Sequence, residues 1–484
     1  MGIYTEVSFT GVTNSGDILE EAAARLSVLV LRLQRPLVSA LKRANMYTLY
    51  KGYTEQEVLL LGVLSKMDLN GIGYDPARAH QMVTEVDGAL DALQRESWAL
   101  AGRQFTLNSA RQVEATMKAQ VVPLVKGPLP PGALSSRAAL AQLSTVHPLP
   151  AKILDWKKLR SVVALNLRPL GLHQRSLQPS GGRLSRIRPW SQPWTSTGRV
   201  MITEPNLQGI FKSFTVCTDS PVSINVRAAF RPFPGAVLLT ADYSQLELRL
   251  LAHLSRDEQL CGVFRAGGDV FRRMAALWSH CKEDAVDASL RQKTKQICYG
   301  ITYGQGARSL AQQLGMEHSE AEAMIAQFRQ AFPGLQRYAD RLLERARITN
   351  EVRTLLGRRR PLADLHSGSS RDKAKAERQV LSTAVQGSAA DLLRRALISL
   401  DSALAQRFPD SKGLLPEEPP SQGAFLVLQM HDELLLEVCE ADLDTVSSMV
   451  RKAMEEAAEL SVPLVVRLRA GPDWAHLDEL EGSP

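Results

Sequence analysis

The sequence contains little cysteine and no long apolar run. Its five cysteines are scattered along 484 residues, and none forms a Cys-x-x-Cys pair. This spacing argues against a disulfide framework and against a thiolate zinc site, so we predict reduced thiols in an intracellular protein. The most apolar early stretch, LSVLVLRL from Leu26, is too short to span a bilayer and contains Arg32. The first residues show no basic region followed by an apolar one, so no signal peptide is predicted.

The remaining composition is that of an ordinary soluble globular protein. Hydrophobic residues make up 44% and charged residues 23% of the chain. The length allows several subdomains with their own cores. The formal net charge of +7 is a mild basic excess. Such an excess is compatible with a polyanionic partner but does not identify one.

The chain separates into zones. Residues 1–65 carry no recognisable motif, and residues 69–170 have mainly helical spacing. The helical zone ends in a basic helix, LPAKILDWKKLRSVV, that contains Lys157, Lys158 and Arg160. A Pro- and Gly-rich segment, Phe408–Gly423, separates a long helix from a following strand.

Two acids lie at the ends of predicted buried strands. In LVLQMHDELLLEV, Asp432 lies where two apolar strand segments meet, and we predict a tight hairpin there. In GAVLLTADYSQLELRLL, Asp242 lies where a buried strand ends and a helix begins. A buried carboxylate without a partner is costly, so packing alone rarely explains one. If the strands are neighbours in one sheet, the two aspartates converge.

Converging carboxylates have two interpretations. Paired acids can bind two hard cations about 3.5–4 Å apart, as Mg²⁺-dependent phosphate chemistry requires. They can equally be strand-end acids facing solvent, and these two stretches alone do not decide between the alternatives.

A third stretch, LRQKTKQICYGITYGQGARSL, favours phosphate chemistry. Arg291, Lys295 and Tyr299 recur at every fourth residue, which aligns two cations and an aromatic ring along one helix face. Such a face could hold a triphosphate with its cations and pack a base on its ring. A solvated basic face with a core tyrosine is the alternative, and it is less favoured next to two metal-type carboxylates.

Together these stretches resemble the A-family DNA polymerases, the DNA polymerase I type. DYSQLELRLLAHLS, RQKTKQICYGITYG and MHDELLLEV are similar to that family's motifs A, B and C in order. TSTGRVMITEPNLQGI, LLGRRRPL and AERQVLSTAVQGSAADLL match flanking motifs, so the resemblance runs from about Leu69 to Trp474. Within the family the chain is most similar to the theta-type repair polymerases, with the nu-type translesion enzymes as the alternative.

The resemblance implies a metal centre. Asp242 and Asp432 would bind two Mg²⁺ ions, with Mn²⁺ as an alternative ion, and the backbone carbonyl of Tyr243 would complete one coordination shell. Glu433 would be a supporting acid and His431 a primer-strand contact.

The resemblance also implies a nucleotide site, in which Lys295 would protonate the leaving pyrophosphate as well as bind the triphosphate. The implied nucleotide-binding residues are Arg291, Lys295, Tyr299, Tyr303, Gln245 and Glu247. The family role of Glu247 is a steric gate that excludes a ribose 2′-hydroxyl. A local alternative is a capping box with Ser244, and both roles could hold.

For DNA, the resemblance implies minor-groove contacts by Arg199 and Gln386. These would test the shape of the new base pair through acceptors that every correct pair presents. The basic helix with Lys157, Lys158 and Arg160 would grip duplex phosphates, with a plain solvated face as the alternative. Three departures from the family pattern weaken individual contacts: Phe271 replaces a phosphate-binding histidine of bacterial members, and Gly209 and Ser382 replace DNA-contacting asparagines.

We therefore expect an α+β right-hand fold with an antiparallel palm sheet, helical fingers and a helical thumb. The expected division is a remnant without exonuclease activity at 1–65, a thumb at 66–190, palm segments at 191–255 and 386–484, and fingers at 256–385. The expected function is template-directed DNA synthesis, by a nuclear, monomeric repair-type enzyme without proofreading and without a membrane partner. The alternatives are a primer–template DNA-binding scaffold and a metal-dependent nuclease.

Overall fold

A computed structural model describes residues 36–40, 42–43, 56–130, 132–168, 170, 185–210, 213–216, 222–302, 306–416 and 418–480. The chain divides into two compact units, Met1–Gly62 and Val63–Pro484. Most of the predicted segment 1–65 lies outside the described residues, and the architecture below is that of the second unit. No helix in the described ranges is both long enough and apolar enough to cross a membrane.

A five-stranded antiparallel sheet lies at the centre of the second unit. Its order is β10-β11-β7-β12-β13. The strands are β7 (Ala236–Tyr243), β10 (Ala424–Met430), β11 (Glu433–Cys439), β12 (Val466–Asp473) and β13 (His476–Glu479). β10 is buried along its whole length and β7 along most of it, which explains their nearly continuous apolar sequences.

Four small two-stranded sheets surround the central one. They pair β1 (Ile72–Tyr74) with β2 (Ser185–Ile187), β3 (Trp190–Gln192) with β4 (Met201–Thr203), β5 (Phe214–Val216) with β6 (Val222–Ile224), and β8 (Glu351–Arg353) with β9 (Arg359–Pro361). All four pairs are antiparallel.

Helices occupy the chain before β1 and between β1 and β2, as the sequence spacing predicts. They are α1 (Val58–Asn70), α2 (Pro76–Ala101), α3 (Ala110–Gln120), α4 (Arg137–Leu143) and α5 (Pro148–Val162). α2 begins with an Asp75 side chain that accepts from the Arg78 amide, and it ends at Gly102 in the left-handed conformation. α5 packs against both α2 and α4.

A second group of helices follows β7. They are α6 (Leu246–Ser255), α7 (Glu258–Ala266), α8 (Val270–Trp278), α9 (Ala288–Thr302), α10 (Ala307–Leu314), α11 (His318–Ala331) and α12 (Pro333–Thr349). Their apolar faces share one core that includes Phe264, Phe271, Ile297 and Phe328. Tyr299 packs against the same core, so the ring on α9 is fixed from behind.

Two further helices complete the unit. α13 (Ser370–Arg407) packs against α6, α12 and α14 (Leu443–Glu455), and α14 packs on β7, β11 and β12. α13 is continuous across residues 385 and 386, where the sequence analysis places a subdomain boundary.

Candidate active site

Two carboxylates meet on the neighbouring strands β7 and β11. Glu433, the first residue of β11, lies opposite Asp242 in the strand register. Asp432 directly precedes β11, and its backbone carbonyl accepts a hydrogen bond from the Tyr243 amide at 3.2 Å. The sheet therefore brings together the two aspartates that are 190 residues apart in sequence, as the strand pattern predicts.

A tight hairpin presents Asp432. β10 ends at Met430 and β11 begins at Glu433, so only His431 and Asp432 form the turn. His431 has φ +48°, a left-handed conformation that such short turns require. Gln429 fixes the turn because its Nε2 donates to the His431 carbonyl at 2.9 Å. The predicted hairpin is thus confirmed.

The charge of Asp432 is disfavoured by its surroundings. Burial raises the pKa of Asp432, the Arg199 guanidinium opposes this rise, and the nearby Asp242 carboxylate adds to it. Arg199 Nη2 lies 3.7 Å from Asp432 Oδ1. A second positive partner would therefore stabilise the charged form of this carboxylate pair.

Glu247 binds Arg199, and the predicted capping box between Glu247 and Ser244 is wrong. Glu247 is buried and accepts a charge-assisted hydrogen bond from Arg199 Nη2. α6 begins after Gln245, whose left-handed backbone serves as the N-cap without a side-chain hydrogen bond. The Ser244 hydroxyl is buried with no hydrogen-bond partner among the described residues. The capping box was wrong because the chain turns at Gln245, which moves the helix start one residue beyond Ser244.

The face of α9 converges on the same place. Burial raises the pKa of the Tyr299 phenol to about 12, and the carboxylates of Glu247, Asp432 and Asp242 contribute to the rise. α9 packs on α6, the helix that bears Glu247 and follows Asp242 in the chain. Tyr303 lies outside the described residues, so its predicted position beside the nucleotide stays a prediction.

Phe271 organises the two cations of α9. Its ring lies 5.8 Å from the Arg291 guanidinium carbon and 5.9 Å from Lys295 Nζ. It also packs at 6.2 Å from the Tyr299 ring. Asp269, the N-cap of α8, accepts from Arg291 Nε at 2.6 Å. Phe271 thus presents an aromatic surface that lies against both cations.

The loop that carries Arg199 is held by contacts that no sequence motif indicates. Arg358 Nη2 donates to the Thr197 carbonyl at 2.6 Å, and its Nε bonds Asp391 at 2.6 Å. Gly198 has φ +86°, a backbone conformation that favours glycine, and a Cβ there would lie 2.6 Å from Arg358 Nη2 and displace that guanidinium. The motif LLGRRRPL contains Arg358, but the motif alone does not reveal which backbone carbonyl its guanidinium contacts.

A second arginine holds the same loop from α13. Arg394 Nε donates to the Gly198 carbonyl and its Nη2 to the Pro193 carbonyl, both at 2.8 Å. Thr195 Oγ1 donates to the Arg199 carbonyl at 2.7 Å within the loop. The loop is therefore fixed at three carbonyls before Arg199 reaches the acids.

A third arginine near the acids also escaped the sequence analysis. Arg227 lies 4.4 Å from the Trp474 ring centroid and interacts electrostatically with Glu433. Burial lowers the pKa of His431, and Arg199 and Arg227 add to this effect. Arg227 therefore belongs to the same charge cluster, although no motif points to it.

The remaining predicted DNA contacts are more dispersed. Gln386 lies part-way along α13 and is partly buried. On α5, Lys157 Nζ donates to the Ser135 carbonyl at 2.7 Å, which competes with the predicted phosphate contact. Arg160 is exposed and lies 5.4 Å from the Trp156 ring. Burial raises the pKa of Asp155, and the charge of the partly buried Lys158 opposes that rise.

A family model described as DNA polymerase family A matches residues 76–476. The chain belongs to DNA polymerase family A. The family recognised from the motifs is therefore confirmed, and so is the α+β fold class with its antiparallel sheet.

Individual relatives agree with this family assignment. The chain is 33% identical to DNA polymerase theta of Mus musculus over 94% of the chain, and 35% identical to the thermostable DNA polymerase I of Thermus filiformis over 95%. It spans 21% and 52% of those two proteins. A solved structure, the POL domain of Pol1 from M. smegmatis in complex with DNA primer-template and dNTP, is 30% identical with a TM-score of 0.76. It covers 92% of this chain and 74% of that one.

The acid pair of this family A chain suits hard divalent cations. Carboxylate oxygens are the preferred ligands of Mg²⁺, and the raised pKa of Asp432 shows that its charge needs a positive partner. Within the described residues, no group of three or more His, Cys, Asp or Glu side chains could hold a metal ion. Protein donors from Asp242, Asp432 and the Tyr243 carbonyl would leave the remaining positions to water and phosphate oxygens, which is the usual arrangement for Mg²⁺.

Proposed function

We propose that this family A chain is a template-directed DNA polymerase domain that adds dNTPs to a primer 3′ end. The proposal rests on the Asp242–Asp432 pair together with α9, which bears Tyr299 and packs on α6, the helix that follows Asp242. A carboxylate pair alone would suit several phosphate reactions. The combination with aligned cations and a packed ring suits a nucleoside triphosphate.

The metal ligands in this proposal are Asp242, Asp432 and the carbonyl of Tyr243, holding two Mg²⁺ ions. When bound, the ions supply activation of the primer 3′-hydroxyl and charge stabilisation on the phosphates. Arg291 and Lys295 bind the triphosphate, and Lys295 donates a proton to the leaving pyrophosphate. Glu433 supports the acid pair, and His431 contacts the primer strand.

The nucleotide is selected by its sugar and by its pairing. Glu247 is buried and held by Arg199, which supports a rigid gate against a 2′-hydroxyl. Tyr299 packs on the sugar and base, with Gln245 and Tyr303 nearby. Arg199 and Gln386 contact the minor groove of the new pair. Arg199 can bind Glu247 and contact the minor groove at the same time, because its guanidinium has several N–H donors.

The subdomain assignment follows the expected right hand. The central sheet is the palm, the helices α7 to α12 are the fingers, and α2 to α5 are the thumb, on which Lys158 and Arg160 face duplex phosphates. We infer a theta-type, nuclear repair enzyme without proofreading. Phe271 supports this subtype because its ring packs where bacterial members are expected to place a histidine. A nu-type enzyme is the alternative subtype.

Primer extension tests the proposal against its rivals. The assay contains a labelled primer–template, Mg²⁺ and all four dNTPs, with a reaction lacking dNTPs beside it. Extension supports the polymerase, whereas shortening without extension supports a nuclease. A gel shift without either change supports a DNA-binding scaffold. Shortening of a mismatched primer without dNTPs would count against the predicted lack of proofreading.

A further inference from the structure

An exposed apolar face lies on the β3–β4 hairpin. Trp190 and Met201 are 65% and 47% exposed, and Trp194, just beyond β3, is 68% exposed. The register pairs Trp190 with Thr203 and Gln192 with Met201, so these four side chains share one face of the two-stranded sheet. Two tryptophans that expose about two thirds of their surface are not explained by core packing.

The hairpin beneath this face is rigid. Ser191, on the opposite face, is buried and donates to Asp68 through both its amide and its hydroxyl, at 3.1 and 2.6 Å. Gln208 bonds the backbone of both Val200 and Ile202. The exposed rings therefore project from a fixed platform, and binding a ligand would cost little ordering of the backbone.

The face is continuous with the candidate active site. The hairpin loop is the same segment that carries Arg199 to Glu247 and Asp432. Arg394 anchors the loop on both sides of Trp194, at the carbonyls of Pro193 and Gly198. An occupant of the face would therefore lie beside whatever the active site binds.

The chemistry of the face favours nucleobases. Trp190, Gln192, Met201 and Thr203 carry no charge, so the face does not repel a polyanion. The exposed Arg188, two residues before Trp190, and the exposed Glu204, directly after Thr203, place one charge of each sign beside the face. Indole rings stack on any base, with a free energy that corresponds to about 5- to 150-fold in affinity per base. In paired DNA the base faces are already stacked, so only unpaired bases offer theirs.

We propose that Trp190, Trp194 and Met201 form a stacking surface for unpaired nucleobases of DNA bound at the active site. The inference rests on the proposed function for its location. Its binding chemistry can be tested without catalysis.

The test measures affinity for a fluorescein-labelled single-stranded oligothymidylate by anisotropy, over a series of salt concentrations. The variants are the Trp190→Ala/Trp194→Ala pair and the corresponding Phe pair. The matched control is Ile348→Ala, because Ile348 is 77% exposed on α12. Thermal melting followed by circular dichroism checks that each variant folds.

The Ala pair should bind at least about tenfold more weakly, because two stacking surfaces are lost. The salt dependence should keep its slope, since no phosphate-binding cation is removed. The Phe pair should regain most of the affinity, and Ile348→Ala should bind as the wild type does.

Three results would overturn the proposal. They are unchanged affinity in the Ala pair, an equal loss in Ile348→Ala, and a loss of self-association in place of a loss of DNA affinity. Extension of a paired primer by the wild type, in the same preparation, reports separately on the proposed function. Oligothymidylate binding that depends on both tryptophans, without any primer extension, would retain the stacking surface and refute the polymerase.

Discussion

Single residues in the candidate site are organised by charge. Asp432 is partly buried, which raises its pKa, and Arg199 offsets its charge from 3.7 Å. The same guanidinium binds Glu247, so one cation connects Asp432, a proposed metal ligand, to the proposed sugar gate. Tyr299 lies within the field of these acids. Changes at these positions should therefore alter the chemistry and the sugar choice while leaving the fold largely intact.

We expect the wild-type protein to incorporate dideoxynucleotides almost as readily as dNTPs. Tyr299→Phe should discriminate strongly against dideoxynucleotides. A dideoxynucleotide lacks the 3′-hydroxyl that would hydrogen-bond a phosphate oxygen of the nucleotide. The Tyr299 phenol can donate that hydrogen bond in its place. A charge-assisted bond contributes roughly 1.5–3 kcal/mol, or about 10- to 150-fold in rate ratio. The measurement is kcat/KM for ddTTP and dTTP opposite adenine in both proteins.

The pKa of Tyr299 sets the pH dependence of this effect. With a pKa of about 12, the phenol keeps its proton well above neutrality, so the wild-type ratio should stay constant from about pH 7 to about pH 9. An equal ratio in wild type and Tyr299→Phe would mean that the hydroxyl points away from the nucleotide, and the proposed placement of α9 would be wrong.

Glu247→Gly should admit ribonucleotides because the bulk beside the sugar is lost. The expected gain in rNTP use relative to dNTP use is at least about tenfold. Glu247→Gln is the matched control, since it removes the charge that binds Arg199 but keeps the bulk. If the Gln variant admits ribonucleotides as well as the Gly variant does, charge and not bulk excludes the 2′-hydroxyl.

At the scale of elements, the site is assembled by contacts between segments far apart in sequence. The apolar strand runs that end in acids predicted the acid pair and the hairpin, because such buried strands have few other arrangements. Helical spacing predicted the face of α9 for the same kind of reason. The arginine contacts to carbonyls of residues 193–198 could not be predicted, since backbone acceptors leave no trace in the sequence. The capping box failed because a left-handed Gln245 shifted the helix start by one residue.

Arg394→Met should disturb the Arg199 loop without touching the substrate. It removes two hydrogen bonds to backbone carbonyls, at Gly198 and Pro193. A displacement of about 1 Å in a positioning group can lower the reaction rate up to about 100-fold. We therefore expect kcat/KM to fall by about 10- to 100-fold.

Arg395→Met is the control for Arg394→Met because Arg395 is exposed on the same helix. A positioning role predicts that the loss appears mainly as a raised KM for primer–template, and that Arg394→Lys recovers part of it. Equal behaviour of the 394 and 395 variants would refute that role.

At the scale of the whole second unit, one buried ion pair joins the small β1–β2 sheet to the central sheet. Glu437 on β11 is fully buried and binds Arg186 on β2 through both carboxylate oxygens, at 2.7 and 3.0 Å. It also accepts from the Gly73 and Phe233 amides. Four donors on three segments thus converge on one carboxylate.

Arg186→Met should therefore destabilise the fold strongly. Removing one partner leaves a buried charge, which costs about 3–5 kcal/mol of unfolding free energy. Arg231→Met is the control, because its contact with Asp75 is exposed and such pairs contribute about 0–1 kcal/mol. Urea unfolding of both variants checks this difference. Equal stabilities would mean that the Glu437 network is dispensable.

The role of the acid pair is measured by single-nucleotide extension with Asp242→Asn and Asp432→Asn. Each change removes one charged ligand of a hard dication, so extension should fall at least about a thousandfold. Primer–template affinity and thermal melting should stay near the wild-type values. Asp444→Asn, at an exposed aspartate at the start of α14, should extend normally. Near-normal extension by either Asp242→Asn or Asp432→Asn would mean that the acid pair does not hold the metal ions of the reaction.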